Sequence, residues 1–146
     1  MRINKAKVPQ PGRRPGRRSG GDARRPDDAQ KVSNQFVKAF EGGSNYWLHK
    51  AALVRADVHP TEKPWYACPA VFEKKFEIEL RYDDPKGYEG EGHGLKVITQ
   101  DDVSRGLSIM AANYPKHFAA VKNGTGDADT ADAFIQCVLF GRIAYG

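Results

Sequence analysis

From Phe72 to Tyr82 the chain alternates with a period of two. Phe72, Phe76, Ile78, Leu80 and Tyr82 share one parity, Glu73, Lys75, Glu77, Glu79 and Arg81 the other, and Lys74 is the one exception. Successive side chains of a strand point to opposite faces, so the pattern predicts a strand over residues 71–82 with one face in the core and one in water. Such a strand must lay its apolar face on another layer. Asp83-Asp84-Pro85-Lys86-Gly87 opens a glycine-rich loop to Gly94, and Leu95 to Ile98 is placed to pair back as a hairpin arm. Residues 46–58 fit strand or helix, since Ala52, Val54, Ala56 and Val58 alternate but Leu48 to Leu53 also tolerates helix; a strand over 51–58 is expected. His59-Pro60-Thr61-Glu62-Lys63-Pro64 reads as a turn, because two prolines cannot donate ladder hydrogen bonds.

The covering layer reads as helix. Val32, Phe36, Val37 and Phe40 recur at helical spacing over 28–41, with Asp27 or Asp28 available as cap and Gly42-Gly43 as stop. Thr99 and Asp102 stand at capping-box spacing, Ile98 and Val103 at staple spacing, and Val103, Leu107, Met110, Ala111 and Tyr114 line one side of the helix that follows. Pro115 kinks that helix or starts a new one, which ends at Asn123-Gly124. A last helix opens at Asp127-Ala128-Asp129-Thr130 and is apolar on nearly every side from Phe134 to Tyr145. That run is either a central core helix or an assembly interface built on Phe134, Val138, Phe140 and Tyr145. Together these elements predict an α+β fold, a small antiparallel sheet packed with helices, in a single domain over 27–146.

Residues 1–26 differ in kind. Nine cations (Arg2, Lys5, Lys7, Arg13, Arg14, Arg17, Arg18, Arg24, Arg25) stand against the single acid Asp22, a net of +8 that leaves −3 for the remaining residues. The overall +5 therefore belongs to an arm rather than to the body. With four prolines, four glycines and no aromatic residue, the arm cannot bury enough apolar area to offset the entropy of ordering it, so a disordered arm is expected. Guanidinium groups make forked hydrogen bonds to phosphate, and Arg13, Arg14, Arg17, Arg18, Arg24 and Arg25 are the candidate nucleic-acid contacts. Without an interleaved aromatic, base stacking is not expected and binding is largely blind to sequence. A solubilising terminus and an arm for an acidic protein surface are the competing readings. No stretch approaches the apolar length of a membrane span, and residues 1–19 lack the apolar centre of a secretory signal, so a soluble, intracellular protein is expected.

Signals for chemistry are sparse. Cys68 and Cys137 form no C-x-x-C pair, and His49, His59, His93 and His117 never recur at i, i+4, so neither a metal site nor a cofactor is expected. Cys137 reads as a buried small hydrophobe. Cys68, inside the proline-bracketed Lys63-Pro64-Trp65-Tyr66-Ala67-Cys68-Pro69, would become a nucleophile only if His59 or Lys63 lay beside it. A rigid connector with Trp65 and Tyr66 covering a core edge is the plainer reading. Gly90-Glu91-Gly92-His93-Gly94 lacks the Lys-Ser/Thr of a phosphate loop and carries repelling glutamates.

Three segments, residues 63–72 with their Trp65-Tyr66-Ala67-Cys68-Pro69 centre, Tyr82-Asp83-Asp84-Pro85, and 129–137 continuing to Tyr145-Gly146, resemble small uncharacterised proteins encoded in tailed-phage and prophage genomes. The resemblance spans about residues 47–146. It implies a viral or prophage setting, in the bacterial cytoplasm or in a particle, and carries over no catalytic residue. The functional expectation is a non-enzymatic accessory protein, its arm on nucleic acid and its body engaged in self-association or with a protein partner. A virion or head structural protein and a small enzyme with a site near Cys68 and His59 are the alternatives.

Overall fold

In the computed structural model, which describes residues 25–85 and 93–146, helices cover one face of a three-stranded antiparallel sheet, as the α+β expectation required. The first helix, α1 (Pro26–Lys38), runs into a π-helical turn (Ala39–Gly43) and then β1 (Leu48–Ala56). Two short 3-10 turns, Trp65–Ala67 and Pro69–Glu73, lead into β2 (Phe76–Asp83). After β3 (His93–Thr99) come α2 (Gln100–Asn113), α3 (Pro115–Asn123) and α4 (Ala128–Phe140). The sheet order is β1-β2-β3, so the strand read most clearly from the sequence is the central one. Residues 1–24 and 86–92 lie outside the described residues.

Alternation places Phe76, Ile78 and Leu80 of β2 in the core, with Ile98 of β3 opposite Ile78. Glu79 and Arg81 pair across the wet face with Val97 and Leu95, which are both exposed. Beneath the sheet, Phe36 stacks on Phe72 with ring centroids 5.0 Å apart and meets the edge of Phe134 at 5.4 Å, joining α1, a 3-10 turn and α4. Offset and edge-on contacts of this kind are favoured by the ring quadrupole. From Thr130 to Leu139 every residue of α4 is buried, because α1, α2, α3 and β3 all pack against it. The apolar run is thus the central core helix. Gly106 lets α2 approach α4 closely, since a Cβ there would lie 2.9 Å from both the nitrogen and the Cα of Val138.

Several boundaries differ from the sequence expectation, each for a local reason. The predicted strand over 71–82 begins only at Phe76. Pro69 starts a 3-10 turn that carries Val71 and Phe72 into the core, and Lys74, the exception to the alternation, marks the break between turn and strand. The preceding strand is Leu48–Ala56 rather than 51–58, because its partner β2 begins at Phe76, opposite Ala56, and only the Asp57 N–H to Lys75 carbonyl bond continues past that pair. Neither Asp27 nor Asp28 caps α1. Pro26 occupies the first turn, Arg25 is the N-cap residue without a side-chain bond, and the two carboxylates favour the positive helix end. The last helix stops at Phe140, where Gly141 takes a left-handed conformation (φ 73°), and residues 141–146 fold back as a tail.

Other local signals hold. Thr99 donates its N–H to Asp102 Oδ2 at 2.9 Å, Pro115 opens a separate α3, Gly124 (φ 70°) ends it, and Asp127 accepts the Thr130 N–H at 3.1 Å.

Candidate interaction surfaces

Of the six candidate arginines only Arg25 lies among the described residues. It is exposed, and its carbonyl accepts the Ala29 N–H, so residues 1–24 join the body directly at the N-terminus of α1. Arg13, Arg14, Arg17, Arg18 and Arg24 lie outside the described residues.

Beside that junction is an open groove of about 340 Å³ between α1, α2 and α3. Val32 and Val121 are buried in its floor, Leu107 and Phe118 are half-buried, and Ala111 is exposed at its lip. Lys31 on α1 and Lys122 on α3 both line it, and Asp28 lies one turn before Lys31. Among the described residues neither lysine nor Asp28 forms an ion pair, and the Lys122 ammonium lies 5.8 Å from the Phe118 ring centroid.

The four expected assembly residues divide. Phe134 and Val138 are 0% and 1% exposed, so the chain's own core already covers them, while half-buried Phe140 at the end of α4 packs against half-buried Tyr145 of the tail. Tyr145 stacks on Trp47 at 5.6 Å and donates its hydroxyl to the Asp83 carbonyl at 2.6 Å. Gln136 of α4 holds the tail: its Oε1 accepts the N–H groups of Ala144 and Tyr145, each at 2.7 Å, and its amide donates to the Tyr145 carbonyl.

One helical turn earlier, Asp132 accepts three side-chain donors. Ser44 Oγ (2.8 Å) and Trp47 Nε1 (2.7 Å) reach Oδ1, and the Tyr46 hydroxyl reaches Oδ2 at 2.6 Å. Burial and the hydrogen bond to this carboxylate push the Tyr46 phenol up to about 12. A buried carboxylate is tolerated when such donors satisfy it. Sequence reasoning missed Asp132 and Gln136, and the available signal was two polar residues interrupting an otherwise apolar run.

Among the described residues no hydrogen bond joins Cys68 to His59 or Lys63. Cys68 is buried, its thiol 3.9 Å from Thr61 Oγ1, and exposed His59 forms no hydrogen bond or ion pair among the described residues. Burial pushes the thiol up, but the Thr61, Val71 and Ala70 backbone contacts with the Thr61 hydroxyl outweigh it and leave it below its ordinary value. Trp65 and Tyr66 pack on Phe40 instead, and the Tyr66 hydroxyl donates to Glu41 at 2.9 Å. For Cys137, burial alone pushes the thiol up to about 11. Among the described residues no three His, Cys, Asp or Glu side chains converge on a common point, and no helix is long and apolar enough to cross a membrane.

Comparison with known families, curated proteins and solved structures gives no match.

Proposed function

We propose that this chain is a non-enzymatic accessory protein of a phage or prophage, acting in the host cytoplasm or in a particle. Its basic N-terminal segment binds nucleic acid without sequence preference, and its body docks a protein. One observation carries the reading: the positive charge is gathered at one end of the sequence, +8 over residues 1–26 against −3 over the rest. Nine of the chain's cations precede Pro26, and α1 begins at Pro26. A run of guanidinium groups in a segment without aromatic residues suits a polyanion bound through its phosphates, while the net-acidic body suits a protein partner. A virion structural role uses the same parts but needs a stable oligomer, and the interior placement of Phe134 and Val138 gives it no surface there.

The test is fluorescence anisotropy of labelled single- and double-stranded oligonucleotides with the full chain. A companion chain has Arg13, Arg14, Arg17, Arg18, Arg24 and Arg25 changed to Gln. Loss of binding in the companion supports the reading; equal binding by both chains removes the segment from it.

A further inference from the structure

We propose that the α1–α2–α3 groove is the body's docking site for an amphipathic helix whose apolar stripe is flanked by carboxylates. This rests on the protein-docking half of the function proposed above and names its surface and partner chemistry. The groove is walled by three helices. Each contributes residues one turn apart, Lys31 and Val32 following Asp28 on α1, Ala111 following Leu107 on α2, and Lys122 following Phe118 on α3. Ridges at that spacing accept the i, i+3, i+4 side chains of another helix. Its floor of Val32, Leu107, Phe118 and Val121 offers room of about 340 Å³ for aliphatic anchors.

Charge selects among occupants. Lys31 and Lys122 both line the groove without an ion pair among the described residues, two cations against one carboxylate, so carboxylates beside the apolar stripe of an incoming helix would find a cation. Asp28 is the one opposing charge in the lining, and the exposed N-cap residue Arg25 lies three residues before it. Like charge between these lysines and the nine cations of residues 1–26 disfavours that segment as occupant.

The experiment uses the full chain and two fluorescein-labelled helical peptides that share one leucine stripe. Glutamates flank the stripe in one and lysines in the other. Tight binding of the glutamate peptide, with the lysine peptide roughly tenfold weaker, is expected. Ala111→Glu, at an exposed lip position, and the double change Lys31→Glu, Lys122→Glu are each expected to weaken the glutamate peptide by roughly tenfold. Circular dichroism of both variants checks that they fold.

Equal binding of the two peptides, or no binding of either, overturns the proposal. So does displacement of the glutamate peptide by an oligonucleotide from the six-arginine variant, which would make the groove a nucleic-acid surface. A dimer of the parent chain that Ala111→Glu converts to monomer in sedimentation would assign the groove to a second copy and also overturn it. Oligonucleotide binding by Ala111→Glu is measured in parallel, so that failure of the groove and failure of the arginine segment are read separately.

Discussion

Asp132 on α4 and Trp47, just ahead of β1, are joined by a 2.7 Å hydrogen bond across 85 residues of sequence. Through it the core helix, the start of the sheet and the tail that stacks on Trp47 form one unit. Removing the acceptor leaves the Trp47 indole N–H and the Ser44 hydroxyl buried without their partner. Asp132→Ala is therefore expected to cost about 2–4 kcal/mol in urea denaturation. Asp132→Asn keeps an acceptor for Trp47 and is expected to cost less than the alanine change.

The same carboxylate sets the alkaline behaviour of Tyr46. Its folded phenol is raised, by burial first and by the Asp132 hydrogen bond next, from 10.0 to about 12. A folded value above the unfolded one contributes stability that is complete below pH 10 and is lost as pH rises toward 12. Tyrosinate absorbance titration of the parent chain is expected to include a component near pH 12 from Tyr46, beside the raised phenols of Tyr66, Tyr82 and Tyr145. That component should be absent in Tyr46→Phe and move to lower pH in Asp132→Asn.

Gly106 sits in the interior of α2, where glycine would ordinarily weaken a helix. It is retained here because α2 and α4 touch backbone to side chain, with Val138 filling the space of a Cβ. Gly106→Ala gains helix propensity but forces the helices apart, and a net loss of about 1–3 kcal/mol is expected in thermal or urea unfolding. A stabilised Gly106→Ala would contradict the close crossing.

At the start of α2, burial raises the Asp102 carboxyl, but the Thr99 N–H, the Arg105 hydrogen bond and the nearby Lys96 outweigh it and hold it below its ordinary value. The stability it contributes is present above the ordinary carboxylate range and is lost as pH falls through the depressed value. Asp102→Ala is expected to cost about 1–2 kcal/mol at neutral pH. Its difference from the parent chain should shrink as acid is added.

The legible parts of the fold were those fixed by local chemistry. The alternation around Ile78 and Leu80, the Thr99–Asp102 cap, Pro115 and Gly124 each act within a few residues, and each was readable from the sequence. The hidden parts depend on distant partners. Phe72 is a core residue whether it stands on a strand or a 3-10 turn, so its hydrophobicity could not place the strand boundary. Tyr145 extended the apolar run after Phe140, but Gly141 and the grip of Gln136 decide that it returns as a tail. Asp132 and Gly106 look like an ordinary helix residue and a weak helix former until Trp47 and Val138 are brought against them. The groove was invisible for the same reason, since three helices meet only in the folded chain.

The most direct measurement is the salt dependence of oligonucleotide affinity for the full chain. If the arginine segment neutralises phosphates, log K falls steeply against log salt, with a slope that reaches roughly −6 to −8 if all nine cations of residues 1–26 engage. Single strands and duplexes of unrelated sequence should behave alike. Absence of binding at low salt, or a flat slope with strong sequence preference, would contradict the nucleic-acid role of the segment.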